Sequence, residues 1–140
     1  MLTNFGRLSV LAIVLSMSAC AVMQPKTTEE NVLKLAEKRQ TALLAQDFKK
    51  AYKYMSPGYR ELNTVENLMS DYAGVYSWKS SDVLNATCDD GVCRVNVKVF
   101  VDIGLMQSAA TPDQERVLVP RVNRETWIKL DNKWWFSKSE

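Results

Sequence analysis

Residues 86–101 read ATCDDGVCRVNVKVFV, and this stretch decides the fold of the chain. After Cys93, apolar and polar side chains alternate, which is typical of a β-strand with one buried face. Asp90 and Gly91 form a two-residue turn signal of the kind that joins antiparallel strands. The stretch therefore predicts a β-hairpin.

The same turn predicts a disulfide bond. With Asp90 and Gly91 at the turn, Cys88 lies opposite Cys93 at a non-hydrogen-bonded pair, where Cα atoms are about 4.5 Å apart. That separation is compatible with disulfide geometry. The spacing does not match the C-x-x-C redox motif. Because the chain has no histidine, the two thiols alone cannot complete a four-ligand structural zinc site.

The disulfide sets a register for the rest of the hairpin. In this register we expect Leu84 to oppose Val97 and Ala86 to oppose Val95, so that the apolar faces of the two strands coincide. A slip of one residue would turn one of these faces to solvent.

The first predicted helix covers residues 29–46, before the hairpin. Thr27 and Glu30 have the form of a capping box at its start. Its apolar face, at helical spacing, consists of Val32, Leu35, Ala36, Ala42 and Leu43. Arg39 interrupts this face. We favour a side chain whose stem packs while its head reaches water; the alternative is that Arg39 pairs in a pocket with an acid of the sheet such as Glu125.

Two shorter helices are predicted next. One covers residues 48–55, is capped by Asp47 and stops at Ser56-Pro57-Gly58. The other begins at Asn63, with Glu66 as its capping-box partner. The predicted helices therefore number three.

The chain beyond the hairpin predicts two more strands. Residues 103–114 form a loop, and a strand follows at residues 116–130. Pro120 cannot donate a backbone hydrogen bond, so we expect an edge or a bulge there. Asp131-Asn132 is a turn signal before the last strand, residues 133–137. Helices followed by about four antiparallel strands make an α+β fold.

The first twenty residues differ from the rest of the chain. The apolar run at residues 8–19 follows Arg7 and ends in small residues, which is typical of an export signal. The run is shorter than the roughly 17–25 residues that span a bilayer as a helix. Residues 16–20, Ser-Met-Ser-Ala-Cys, resemble the lipobox of bacterial lipoproteins, with Met17 in place of the usual Leu.

The lipobox resemblance implies that a diacylglycerol is attached to the thiol of Cys20 and that the signal is cut just before it. We therefore expect a signal peptide at residues 1–19, a tether at residues 20–27 and a folded domain at residues 28–140. In enterobacterial lipoproteins an Asp after the cysteine retains the protein at the inner membrane. Ala21 stands here instead, so the resemblance favours the outer membrane, with the domain in the periplasm. A plain signal peptide cut nearby is the alternative.

Two stretches resemble the NTF2-like superfamily, also called the SnoaL-like or ketosteroid-isomerase-like fold. Residues 42–57, ALLAQDFKKAYKYMSP, resemble its helical pattern of a small residue, an acid and a hydrophobic residue before Tyr and Ser-Pro. Residues 125–135, ETWIKLDNKWW, resemble its terminal Trp-bearing strand, tight turn and second Trp. The resemblance implies a cone, in which the sheet wraps the long helix and leaves a pocket. The residues expected to line it are Arg39, Tyr52, Met55, Tyr72, Trp78, Val97, Val99, Glu125 and Trp127.

The sequence lacks several motifs, and their absence reduces the number of functions that we expect. The basic residues are spread along the chain, without the stripe that nucleic acids require. There is no phosphate-binding loop, nucleophile elbow or metal-binding motif, so we expect neither cofactor nor metal. An isomerase-type enzyme would need a carboxylate base, Asp102 or Glu125, with a tyrosine as partner. The candidate partners are Tyr52, Tyr59, Tyr72 and Tyr76, but their spacing singles out no pair.

We expect instead a non-catalytic binding domain, held at the membrane through Cys20. Its ligand would be a small apolar molecule, a cell-wall fragment or an envelope protein. The alternative is a structural component of an envelope assembly or secretion machinery. That alternative rests on the aromatic-rich final hairpin and on Phe100, which we expect to be exposed.

Overall fold

The computed structural model describes residues 27–104 and 117–138, and these residues form an α+β fold as predicted. The helices are α1 (Thr28–Leu44), α2 (Phe48–Tyr52), α3 (Pro57–Leu62) and α4 (Val65–Asp71), followed by a 3-10 turn at Ala73–Ser77. The strands are β1 (Trp78–Asp89), β2 (Val92–Asp102), β3 (Leu118–Leu130) and β4 (Lys133–Ser137). They form one antiparallel sheet in the order β1-β2-β3-β4.

Several predictions from the sequence fall on parts of the chain that the structure does not describe. These are the signal peptide at residues 1–19, Cys20 with most of its tether, and most of the loop at residues 103–114. Within the described ranges, no helix has the length and apolar character needed to cross a membrane.

Helix α1 begins at the predicted capping box. The Thr27 side chain accepts a hydrogen bond from the backbone N–H of Glu30, whose carboxylate accepts one from the backbone N–H of Thr27. Each side chain thus satisfies a backbone donor that the first helical turn leaves without a partner. The inner face of α1 is buried along its length at Val32, Ala36, Arg39, Gln40, Ala42 and Leu43.

The connection after α2 differs from the prediction. Ser56 and Pro57 do not only stop a helix; they start α3, which the sequence analysis missed. The Ser56 hydroxyl accepts a hydrogen bond from the backbone N–H of Tyr59, and Pro57 occupies the first helical turn. Proline suits that position because its missing N–H would have no helical partner there.

The cap of α4 lies one residue after its predicted place. Thr64, not Asn63, is the capping residue, and Asn67, not Glu66, is its capping-box partner. The Thr64 hydroxyl accepts from the backbone N–H of Asn67, and the side-chain oxygen of Asn67 accepts from the backbone N–H of Thr64, so each donor lies one residue later than expected. Both pairs have the same spacing, so the sequence pattern alone did not separate them.

Both predicted two-residue turns are present. Asp90 and Gly91 have φ angles of 42° and 75°, and Asp131 and Asn132 have φ angles of 49° and 61°. Positive φ at both central residues is the signature of the type I′ turn, whose twist matches that of the flanking strands. Cys88 and Cys93 form the predicted disulfide, with their Cα atoms 4.0 Å apart.

The register of the first hairpin is confirmed near the turn and wrong further from it. Ala86 opposes Val95 as expected, but Val83, not Leu84, opposes Val97. A β-bulge between Val83 and Asn85 inserts one residue into β1, so two residues there oppose one on β2. Leu84 is left 43% exposed as a result.

Strand β3 has one half-open edge. Its residues Leu118–Ile128 pair with β2 in unbroken register, whereas β4 pairs only with Thr126–Leu130. Pro120 therefore lies on the stretch of β3 that no other described strand pairs on the outer side. The predicted edge position is confirmed, and no bulge occurs there. An edge tolerates proline because no ladder bond is lost on that side.

The core lies between α1 and the concave face of the sheet. Val95, Val97 and Val99 of β2 are fully buried, and Trp127 of β3 is fully buried beside them. The segment after α2 docks on β4, because the backbone N–H of Ser56 donates to the carbonyl of Phe136 at 2.9 Å. This bond closes one side of the cone.

We predict that loss of the disulfide destabilises the fold modestly. Replacing both Cys88 and Cys93 with Ala should lower the free energy of unfolding by about 2 kcal/mol, because a loop this short restricts the unfolded chain only slightly. Urea denaturation measures the loss. Dithiothreitol should lower the urea midpoint of the wild type to that of the double variant and leave the midpoint of the double variant unchanged. A wild-type midpoint that does not respond to dithiothreitol would contradict the disulfide.

Candidate functional site

A buried ion pair occupies the middle of the cone. Arg39 of α1 donates through Nη1 to Glu125 Oε1 of β3 at 2.6 Å, and the two side chains are 0% and 5% exposed. The interpretation that we favoured, a guanidinium that reaches water, is wrong, and the alternative pairing with Glu125 is confirmed. Arg39 lies on the inner face of α1, between Ala36 and Leu43, where the sheet covers its whole side chain.

The carboxylate of Glu125 has both oxygens engaged. Gln40 Nε2 donates to the same Oε1 at 2.7 Å, and Trp127 Nε1 donates to Oε2 at 2.9 Å. The three donors together occupy both oxygens of this buried carboxylate. Glu125 therefore has little capacity left to act as a base toward a bound molecule.

The guanidinium of Arg39 is held in the same way. Its Nη2 donates to the hydroxyl of Tyr72, and its central carbon lies 3.6 Å from the ring centroid of Phe136. A planar guanidinium packs well on an aromatic face. Within the described residues its Nε has no hydrogen-bond partner. We call Arg39, Gln40, Tyr72, Glu125 and Trp127 the central network.

Four members of the central network were predicted from the sequence to line one pocket. The fifth, Gln40, was not predicted. A signal for Gln40 was present, because it follows Ala36 by four residues and so shares the inner face of α1. A polar residue at that spacing indicates a buried hydrogen bond as readily as a solvated helix face. Only the contact between Gln40 and Glu125 in the structure shows that Gln40 makes a buried hydrogen bond and does not face solvent.

The nine residues predicted to line a pocket have different roles. Trp78 and Val99 do line a cavity. Met55, Val97 and Trp127 are fully buried in the core. Arg39, Tyr72 and Glu125 belong to the central network, and the hydroxyl of Tyr52 donates to the backbone carbonyls of Arg60 and Asn63. The centre of the cone is thus filled by side chains at the positions where the sequence suggested open space.

The cavity lined by Trp78 and Val99 lies at the end of the sheet away from the disulfide. It has a volume of about 270 Å³. We call it the mouth cavity. Its lining consists of Gly74, Ser77, Trp78, Val99, Val101, Asp102, Ile103, Arg121 and Asn123. Arg121 opposes Val99 and Asn123 opposes Val97 across the sheet, which places both on the concave face.

Asp102 is the buried acid of the mouth cavity, with only 2% of its surface exposed. Its Oδ1 accepts a hydrogen bond from the backbone N–H of Gly104 at 3.0 Å, and its Oδ2 lies 3.7 Å from Lys79 Nζ. The candidate base Asp102 therefore has a cationic partner and a backbone donor.

The candidate tyrosines are distributed over the molecule. Tyr72 is in the central network, and Tyr76 is 52% exposed outside the core. Tyr59 donates to Asp71 at 2.9 Å. Burial raises the pKa of the Tyr59 phenol, and the hydrogen bond to Asp71 and the charge of Asp71 raise it further. Tyr59 therefore remains protonated, and no carboxylate of the mouth cavity is paired with a tyrosine by a described hydrogen bond.

Two other cavities are lined mainly by polar side chains. One, of about 310 Å³, lies between α1 and β1, and the other, of about 260 Å³, lies beside the disulfide. Within residues 27–104 and 117–138, no cluster of three or more Asp, Glu, Cys or His side chains is suited to a metal ion. The mouth cavity alone among these three combines an apolar floor with an arginine and an amide.

No protein-family model matches the chain, and no curated protein matches its sequence. Solved structures do match its fold. A SEC-C motif containing protein from Rhodopseudomonas palustris is 17% identical, with 73% of this chain and 71% of that chain covered and a TM-score of 0.50. A sec-c motif containing protein from Psychrobacter arcticus is 18% identical, with 74% and 56% covered and a TM-score of 0.54, so the match spans little more than half of that protein.

A third structure carries the fold name. A protein from Campylobacter jejuni named as an NTF2-like transpeptidase is 15% identical, with 78% of this chain and 99% of that chain covered and a TM-score of 0.50. Likeness at this identity establishes the fold and nothing about activity. The chain has an NTF2-like fold, as the resemblance of its helical and terminal segments implied, with four α-helices rather than three.

We predict that the central network is highly sensitive to loss of one charge. Glu125→Gln keeps the shape of the side chain but leaves Arg39 buried without a counter-charge. Such a change should cost about 3–5 kcal/mol of unfolding free energy. Urea denaturation followed by tryptophan fluorescence measures it.

Asp71→Asn is the matched control, because it also turns an acid into its amide. Asp71 pairs with Lys138 at 2.7 Å, but both side chains are partly exposed, so the loss should stay below about 1 kcal/mol. The hydrogen bond from Lys138 lowers the pKa of Asp71. The stability from this pair is therefore present above the ordinary pKa of Asp and is lost as the pH falls through the lowered value. Equal losses in both variants would refute a special role for Glu125.

Proposed function

We propose that this protein is a lipid-anchored protein of the cell envelope whose NTF2-like domain binds a ligand without catalysing a reaction. The observation that carries the proposal is the closed hydrogen bonding of Glu125, which has Arg39, Gln40 and Trp127 as donors. A carboxylate with both oxygens hydrogen-bonded in this way has a structural role. The mouth cavity lies apart from this acid, and its apolar lining with Arg121 and Asn123 supports the binding of a ligand.

The proposed anchor is the thiol of Cys20, as the lipobox resemblance implies. Two or three acyl chains would hold the protein at the membrane, whereas one chain gives only reversible binding. Helix α1 begins at Thr28, eight positions after that cysteine. The domain would therefore lie close to the bilayer surface.

The topology sets which end of the domain would face the bilayer. Thr28 and Glu29, at the start of α1, line one cavity together with Asp90 and Gly91 of the first turn. The proposed anchor would thus lie near the turn end of the sheet. Strand β2 runs from that turn to Asp102 over 11 residues, a length of roughly 30 Å. The mouth cavity would then open away from the membrane, toward the aqueous compartment.

We predict that Cys20 determines membrane association. Wild-type protein should fractionate with membranes and carry the mass of a cysteine-linked diacylglycerol, because acyl burial contributes about 0.8 kcal/mol per methylene. Cys20→Ala should lose this mass, and the adjacent control Ala21→Ser should keep it. Intact-protein mass spectrometry makes the comparison; an unmodified Cys20 in wild type would refute the anchor.

We predict that ligand binding depends on the mouth cavity. Asn123→Trp places a large side chain over the mouth, whereas Arg124→Trp places the same side chain on the opposite face of β3. Small molecules retained by the wild-type protein from native membranes should be lost only from Asn123→Trp. Native mass spectrometry detects them. Equal retention by the two variants, or none by wild type, would count against a ligand-binding function.

The second candidate function is a structural component of an envelope assembly. The observation that favours it is the outer face of β3, where Val122 is 62% and Leu118 is 47% exposed, beside the half-open edge. An unpaired edge with apolar neighbours can accept another chain. Phe100, which the sequence analysis expected to be exposed, is half-buried opposite Pro120 and adds less to this surface.

A photo-crosslinking side chain tests the second candidate. Placed at position 122 in intact cells, it should capture an envelope protein if β3 is an interface. The control is the same side chain at position 62, since Leu62 is 86% exposed but lies on α3, away from the edge. A monomeric pattern at position 122 would exclude assembly through β3.

A further inference from the structure

The mouth cavity has a polarity that specifies a class of ligand. We infer that it binds a short amphiphile with an apolar body and a single anionic head group, a carboxylate or a phosphate. This inference rests on the proposed binding function and adds the chemistry of the ligand to it. Four properties of the cavity carry it: its volume, its apolar floor, its free cation and its balance of charge.

The volume limits the size of the ligand. Ligand sites commonly occupy about 300–1,000 Å³, and the mouth cavity, at about 270 Å³, is slightly smaller than that range. At about 30 Å³ for each atom the size of a water molecule, it holds roughly nine non-hydrogen atoms. A chain of about six carbons fits inside with its head group at the rim, and a whole phospholipid does not.

The floor of the cavity is apolar. Val99 is fully buried, and Trp78, Val101 and Ile103 are half-buried around it. The indole of Trp78 is fixed by an edge-to-face contact with Tyr72, with ring centroids 6.2 Å apart. A preformed apolar floor of this kind favours a hydrocarbon chain, because burial of the chain removes apolar surface from water.

The head group is specified by Arg121. Its side chain lines the cavity on the concave face of β3, and within the described residues no hydrogen bond or ion pair engages it. Asn123, two residues further along the same face, also lines the cavity and supplies an amide. A guanidinium offers paired N–H donors that match the two oxygens of a carboxylate or phosphate.

The charges around the cavity favour an anion. Asp102 is the acid of the lining, and Lys79 lies 3.7 Å from its carboxylate and offsets its charge. Among Lys79, Asp102 and Arg121 the sum is therefore one positive charge. A cationic head group would be repelled by the guanidinium of Arg121, and a neutral head group would leave that guanidinium to water, because Arg121 is exposed.

Equilibrium dialysis of the lipidated protein in nanodiscs tests this inference, with empty nanodiscs as background. The probes are hexanoate, hexyl phosphate, hexanol and hexylammonium, which share one chain and differ only in the head group. We expect the two anions to bind at least tenfold more tightly than hexanol, and hexylammonium to bind more weakly still. The ratio between carboxylate and phosphate shows which anion the site prefers.

Variants of β3 separate the possible outcomes. Arg121→Ala should weaken binding of the anions at least tenfold and leave hexanol unaffected, Arg121→Lys should restore part of the affinity, and Arg124→Ala, on the other face, should change nothing. Binding that is abolished by Asn123→Trp but is equal for all four probes would overturn the anionic head group and leave the binding function standing. No binding of any probe would overturn the inference, and the retention experiment with native membranes then decides the proposed function separately.

Discussion

The fold depends on one buried ion pair, between Arg39 in the middle of α1 and Glu125 in β3, which are 86 residues apart in the chain. Removing two charges from water costs several kcal/mol for each ion, and mutual attraction compensates this cost only when other hydrogen bonds complete the geometry. Gln40, Trp127 and Tyr72 supply those bonds. The pair can form only when α1 has one rotation about its axis and one position along that axis. It therefore determines how α1 packs against the sheet.

The same pair decides where a ligand can bind. An NTF2-like cone can leave a pocket between its long helix and its sheet, but here the side chains of the central network occupy that space. Open volume remains at the mouth, in the cavity that Val99, Val101 and Trp78 line. A buried carboxylate with both oxygens hydrogen-bonded is poorly placed to react with a ligand, which accords with the proposed binding function at the rim.

The sequence predicted most of the features that depend on neighbouring residues, although not α3 or the exact cap of α4, and failed where distant residues decide. The two type I′ turns, the capping box of α1 and the disulfide follow from short-range geometry, and all were predicted. The bulge at Leu84 was not, because the need for an extra residue arises from the way β1 must bend around α1. Arg39 was misassigned for a similar reason: an arginine on an apolar face reaches water unless the sheet supplies an acid, and Glu125 is distant in sequence. Arg121 and Asn123 were not predicted to line the mouth cavity, because they belong to an exposed part of β3. Only the pairing of β3 with β2 shows that both lie on the concave face.

The ion pair and the mouth cavity are also linked electrostatically through β3. Glu125 and Arg121 lie four residues apart on the same face of the strand, a separation of roughly 13 Å. An unpaired Glu125 would attract the guanidinium of Arg121, although Arg121 is exposed and salt would screen part of that attraction. Arg39 neutralises Glu125 and so leaves the charge of Arg121 available at the rim. The buried arginine thus acts on the site without touching it, because it cancels the one negative charge of the central network that could compete with a ligand.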